Sequence, residues 1–208
     1  MNRRHALSLI AAPIAALVAA CAGNAPVEPE RFFSPSLTRP ALRSDTPLRI
    51  VVEPVEVHGI YADRAFVSRA ADGAYRQSTG RSWIGPPSLL LGDLLVEQLR
   101  AAYGEDSVFS PQARLSGDLS LRTQLRRLER VQGAQAGDQA WLAIEFVLTA
   151  RGGALLGSRV FDESLPAGSS AADYVAAQSL LFDRAIAALL PVVDQALVAA
   201  SAARASPR

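Results

Sequence analysis

A chain of 208 residues, half of them apolar, is long enough for one domain with its own core. Its basic residues are all arginine, 21 against 20 acidic ones, so a net charge of +1 gives no electrostatic basis for nucleic-acid capture, and the absence of lysine excludes a lysine Schiff base and the P-loop lysine. A single cysteine rules out an intramolecular disulfide, so stability must come from packing.

The chain opens with Arg3 and Arg4, an apolar run from Ala6 to Ala20, and then Val18-Ala19-Ala20-Cys21. Fifteen apolar residues rise roughly 22 Å as a helix, short of the ~30 Å hydrocarbon core, and Pro13 interrupts them, so a signal peptide fits better than a membrane span. The tetrapeptide resembles the lipobox of bacterial lipoproteins. That resemblance implies cleavage before Cys21, acylation of Cys21 (palmitate among the chains) and a mature protein of about 188 residues. Ala22 in place of aspartate implies, by the same resemblance, an outer-membrane location with the domain facing the periplasm. Each buried methylene contributes ~0.8 kcal/mol, so two or three chains on one residue make a durable anchor. Without Arg3 and Arg4 the mature chain carries 19 arginines against 20 acids.

The organisation expected is a signal peptide over 1–20, lipidated Cys21 with an extended Pro-rich tether over 21–47, one domain over 48–200 and a disordered tail over 201–208. Pro26, Pro29, Pro35, Pro40 and Pro47 punctuate the tether, whose twenty-odd residues at ~3 Å each reach roughly 60 to 70 Å. Phe32-Phe33 is its sticky spot, either docking on the domain as a short edge strand, which is the favoured reading, or exposed to solvent by accident. Leu48 to Val57 reads as a strand with Pro54 at an edge or bulge. Ala65 to Arg69 is a second strand, followed by a turn at Asp72-Gly73 and a short extended piece from Ala74 to Gln77. A helix follows Pro86-Pro87, with Ser88 as N-cap, Leu91, Leu94, Leu95 and Leu99 as its stripe and Gly104 as its stop. After a brief strand or loop over Asp106 to Ser110, Leu115 to Val131 alternates a dry face (Leu119, Leu121, Thr123, Leu125) with a wet one (Ser120, Arg122, Gln124, Arg126). Ala140 to Arg151 alternates Leu142, Ile144, Phe146 and Leu148 against Trp141, Ala143, Glu145 and Val147. Gly152-Gly153 turns into Ala154 to Ser164. Ser170-Ala171-Ala172-Asp173 resembles a capping box and opens a long helix on Val175, Phe182, Ile186, Leu189, Val193 and Leu197, which Pro191 is expected to kink or divide. The fold predicted is α+β: a two-layer sandwich of an antiparallel or mixed sheet with both helices packed on one face.

Between Leu48 and Leu99 the sequence resembles the ABC-type transport auxiliary lipoprotein family, which includes PqiC-like proteins. The matching features are Pro54-Val55 ending a strand, the corner Tyr61-Ala62-Asp63-Arg64, Arg69 ending the next strand, and Trp83 at the start of the helix. Ala62, Ala65 and Gly85-Pro86 depart from the pattern. The resemblance implies a non-catalytic lipoprotein auxiliary to an ABC-type system with an MCE-domain periplasmic component, moving phospholipid or another hydrophobic substrate between inner and outer membranes. Its implied partners are the MCE-domain protein, the ABC permease and ATPase, the membrane through Cys21, and other copies of itself, since the family contains ring-forming members. Tyr61, Asp63, Arg64 and Trp83 are the candidate partner-binding residues. Trp83 is either an interface anchor or packing over the first helix, and Asp63-Arg64 either a local ion pair or a subunit contact. Arg122, Arg126, Arg127 and Arg130 mostly share one wet face, open to acidic groups, lipid headgroups or solvent alone.

Catalytic and metal-binding chemistry is sparse. His58 is the one histidine left after cleavage, no Gly-x-Ser-x-Gly elbow exists, and Gly80 to Gly85 misses that spacing by one residue. One histidine and an acylated cysteine do not supply a zinc set, and no acidic run has calcium-loop spacing. Glu53, Glu56, Asp63, Asp93 and Glu97 would have to converge to make a paired-carboxylate hydrolase; they read as solvated carboxylates. No catalytic residue, metal or cofactor is expected. The alternative role is a structural assembly lipoprotein partnering an outer-membrane β-barrel. An apolar cavity large enough for an acyl chain would favour direct lipid handling, and a filled core would favour a scaffold.

Overall fold

The computed structural model describes residues 29–57, 59–113, 115–133 and 137–205; Cys21, with the expected signal peptide, and His58 lie outside them. The elements are β1 (Arg31–Phe33), β2 (Ile50–Val52), β3 (Glu56–Val57), β4 (Ala65–Arg69), β5 (Tyr75–Trp83), α1 (Pro87–Tyr103), β6 (Val108–Phe109), β7 (Leu119–Val131), β8 (Gln139–Ala150), β9 (Leu155–Pro166) and α2 (Ala171–Ala205).

The sheet is built on β7. One edge pairs antiparallel with β8 from Leu119↔Ala150 to Val131↔Gln139, and β8 pairs in turn with β9. Two consecutive glycines with positive φ, Gly152 (104°) and Gly153 (88°), allow that second reversal where a Cβ would be strained. Three short parallel strands share the other edge of β7: β2 at Leu119–Leu121, β3 at Gln124–Leu125 and β4 at Glu129–Val131. The predicted strand Leu48–Val57 is thus split in two. Pro54 has no N–H for the ladder, and the last bond before it runs from Glu53 N to the Leu121 carbonyl at 2.8 Å. β6 extends the sheet beyond β2, while β5 and then β1 extend it beyond β4, giving a mixed sheet of nine strands. β5 runs well past the predicted Gln77, so Trp83 ends a strand and does not open a helix.

Both helices cover the same face of the sheet. Leu91 and Leu95 of α1 and Phe182 and Ile186 of α2 close over Thr123 of β7 and Ile144 and Phe146 of β8, leaving a gap of about 10 Å³. α1 starts one residue before the predicted cap: Pro86 is the N-cap and makes no side-chain bond, with Pro87 at the position where a missing N–H costs nothing. At the other end the Gly104 N–H returns to the Arg100 carbonyl with φ at 99°. α2 opens on a reciprocal box: Asp173 N–H donates to Ser170 Oγ at 3.0 Å and Ser170 N–H to Asp173 Oδ2 at 3.3 Å. It then runs 35 residues as one helix. Pro191 lies on its exposed side and does not divide it, because Leu189, Leu190 and Val193 around it are locked in the core. The helix also takes in residues 201–205 of the expected tail.

The stretch from Arg31 to Pro47, expected as part of a free tether, is laid on the folded unit. β1 pairs parallel with β5 as Phe32-Phe33 suggested. Beyond it the segment is held by α2: Ser36 N–H donates to Ser179 Oγ at 3.0 Å, Thr38 N–H and Oγ1–H donate to Asp183 at 2.9 Å each, and Arg43 meets Asp194. Leu37 packs against the core. A proline-rich segment offers few N–H groups to a ladder, so side-chain acceptors on a neighbouring helix replace it.

Candidate contact surface

The four predicted contact residues gather at the corner between β3 and β5 but divide by exposure. Tyr61 ends a 3₁₀ turn over Gly59–Tyr61, is buried, and donates from its hydroxyl to Glu129 Oε2 at 2.5 Å. Arg69 Nε donates to Glu129 Oε1 at 3.1 Å, so a carboxylate with no exposed surface has a partner on each oxygen. Burial first, and the bond to Glu129 second, push the Tyr61 phenol well above its ordinary pKa. Trp83 is 1% exposed. Its ring lies 4.6 Å from Phe66 and 5.9 Å from Tyr174, Phe66 meets Tyr174 edge-on at 5.3 Å, and Phe33 closes on Phe66 at 5.4 Å. This cluster ties β1, β4 and β5 to α2. Tyr61 and Trp83 are therefore buried within the domain.

Asp63 and Arg64 stay at the surface. Asp63 accepts from Gln77 Nε2 at 3.5 Å, the Arg64 carbonyl accepts from Trp83 N–H at 2.7 Å, and the Arg64 guanidinium lies 5.1 Å from the centre of the Phe32 ring.

A second tryptophan occupies the sheet face turned away from the helices. Trp141 of β8 stands opposite Glu129 and is half-buried, with Arg127 at 4.7 Å and Arg69 at 5.6 Å from its ring. Its indole N–H donates to Asp162 Oδ1 of β9 at 2.5 Å. An irregularity in β7 between Leu125 and Arg127 makes this arrangement. It leaves Arg126 bonded to Glu145 and Arg127 over Trp141 on the same outer face, and returns Leu128 to the core. Arg122 and Arg126 are exposed there, but Arg130 is not: it stands opposite the buried Ala140, pairs with Asp138 at 2.7 Å and donates to the Gly168 carbonyl. Strand alternation had already set Trp141 on the face opposite Leu142, Ile144, Phe146 and Leu148, although neither face was read as wet and Trp141 was not named as a contact residue.

The carboxylates considered for catalysis do not form one site. Glu53 accepts from Ser120, Asp63 sits at the corner, and Asp93 and Glu97 line an open groove with Arg100 and Glu105. Among the described residues no three His, Cys, Asp or Glu side chains gather to hold a metal ion.

The family model for ABC-type transport auxiliary lipoprotein components matches residues 34–189. No curated protein matches the sequence. The crystal structure of a Xanthomonas campestris protein of the DUF330 family superposes with a TM-score of 0.66 at 17% identity, covering 85% of this chain and 100% of that one. A second crystal structure, of an uncharacterized protein, gives 0.55 at 18% identity over 85% of this chain and 98% of its own. At these identities the likeness is one of fold.

Proposed function

The chain belongs to the family of ABC-type transport auxiliary lipoprotein components, and from that premise we propose that it serves, without catalysis, an envelope transport system whose periplasmic component carries an MCE domain. Cys21 holds it by its acyl chains to the outer membrane, and the substrate of the system is phospholipid or another hydrophobic molecule. The observation that carries the scaffold side of this reading is the close packing of both helices on the sheet among the described residues. Ligand pockets take roughly 300 Å³ or more, whereas the apolar space between the helices and the sheet is about 10 Å³. With no room there for an acyl chain, the useful surface is the outer one, and Trp141 with Arg69 and Arg127 has the chemistry of an interface anchor.

The test is recovery of partners from native membranes through the full acylated chain. Wild type is expected to bring down the MCE-domain protein, and the Trp141→Ala/Arg127→Ala variant to recover several-fold less at unchanged expression. Consistent absence of an MCE partner from the wild-type sample would sink the proposal, and an outer-membrane barrel in its place would establish the structural assembly role instead.

A further inference from the structure

The corner where β1 joins the sheet carries exposed apolar side chains among arginines. Arg31 stands in register with Arg81, and Arg64 covers Phe32. Phe33 turns into the aromatic cluster while Phe32 turns out, at 49% exposure, and Ile84, whose N–H donates to the Phe33 carbonyl at 2.8 Å, is 64% exposed. Arg31, Arg64 and Arg81 are all exposed at this corner, and they outnumber its carboxylates, Asp63, which accepts from Gln77, and Glu30, the residue before Arg31 in the chain.

Only nine residues, 22–30, lie between Cys21 and Arg31, and the ten steps from one to the other span no more than about 35 Å even fully extended. Because the chain from Arg31 onward is pinned to the sheet and to α2, the leash is about half what a free tether over 21–47 would give. We propose that this corner, with Arg31, Arg64, Arg81, Phe32 and Ile84, rests on the anionic leaflet that holds the acyl chains, the arginines against headgroup phosphates and the apolar side chains at the interface. The inference rests on acylation of Cys21. The short leash supplies the bilayer as occupant, and the charge supplies its preference for anionic lipid.

Acylation consumes the only natural thiol, so one introduced cysteine in the full chain is a unique label site. The acylated Ile84→Cys and Leu155→Cys proteins are nitroxide-labelled and reconstituted in vesicles of phosphatidylethanolamine and phosphatidylglycerol. Collision with a water-soluble nickel reagent should be several-fold lower at position 84 than at position 155, which lies on β9. The protection should disappear in phosphatidylcholine vesicles and in the Arg31→Glu/Arg64→Glu/Arg81→Glu background. Equal collision at both positions, with acyl chains present on Cys21 by mass spectrometry, overturns the contact and leaves the anchor standing. A bare Cys21 overturns both.

Discussion

Trp83 and Trp141 lie on opposite faces of the same sheet. Trp83 is closed in by Phe66 and Tyr174, whereas Trp141 is backed by the sheet on one side only and is flanked by two arginines. Removing a fully buried indole forfeits its burial and opens a cavity, so Trp83→Ala should cost about 3–5 kcal/mol in urea unfolding. Trp141→Ala gives up partial burial and two cation–π contacts and should cost about 1–2 kcal/mol. The reverse ordering would contradict the placement of Trp83 in the interior and Trp141 on the outer face. Glu129 shows the same division in polar terms: a buried carboxylate persists because Tyr61 and Arg69 both donate to it.

At the scale of elements, the segment between β1 and β2 fastens the two helices together through Asp194 of α2. That carboxylate accepts from Arg43 Nε at 3.1 Å and from the hydroxyl of Tyr103 of α1 at 2.8 Å, while Arg43 N–H donates to the Ala102 carbonyl at 2.8 Å. Partial burial alone would raise the pKa of Asp194; the bonds from Arg43 and Tyr103 outweigh it and hold the carboxyl below its ordinary range. A lowered folded-state pKa stabilises above the unfolded value, near 3.9, and that contribution is lost as pH falls through the folded value. Protection of the Arg43 amide from hydrogen exchange, taken relative to the intrinsic rate at each pH, is therefore expected to fall below about pH 4 in the wild type, and already at neutral pH in Asp194→Asn. Equal protection in all three conditions would contradict a carboxylate-held clasp. This clasp was not legible in the sequence, because the segment's partners on α2 lie 143 to 151 residues away. Features closed within a few residues were legible: the Ser170 box, the Gly152-Gly153 reversal, the leucine stripe of α1 and the alternation of β7 and β8. Where a local rule met tertiary burial, burial prevailed, so Pro191 sits in an unbroken helix. The strand irregularity at Arg126 and Arg127, which builds the contact face, has no glycine or proline to announce it.

For the molecule as a whole, three buried tyrosines set the alkaline limit. Burial is the leading reason that the phenols of Tyr61, Tyr103 and Tyr174 are raised above the ordinary value of 10. A raised folded-state pKa leaves its contribution intact below pH 10 and withdraws it as pH climbs further, by up to about 1.4 kcal/mol per pH unit for each tyrosine. Stability should drop steeply above about pH 10, with the phenolate absorbance of these three appearing together with loss of the fold. Their separate ionisation in a folded protein would contradict the burial-linked loss.

Chain order gives the β7 arrangement a temporal meaning. The strands made first, β2, β3 and β4, all wait for an edge that leaves the ribosome later; Arg49 and its β7-side partner Asp118 are 69 residues apart. During synthesis, until Leu119–Val131 has emerged, the first half of the molecule has no spine to zip onto. A polypeptide wired in that sequence completes its sheet only late in synthesis.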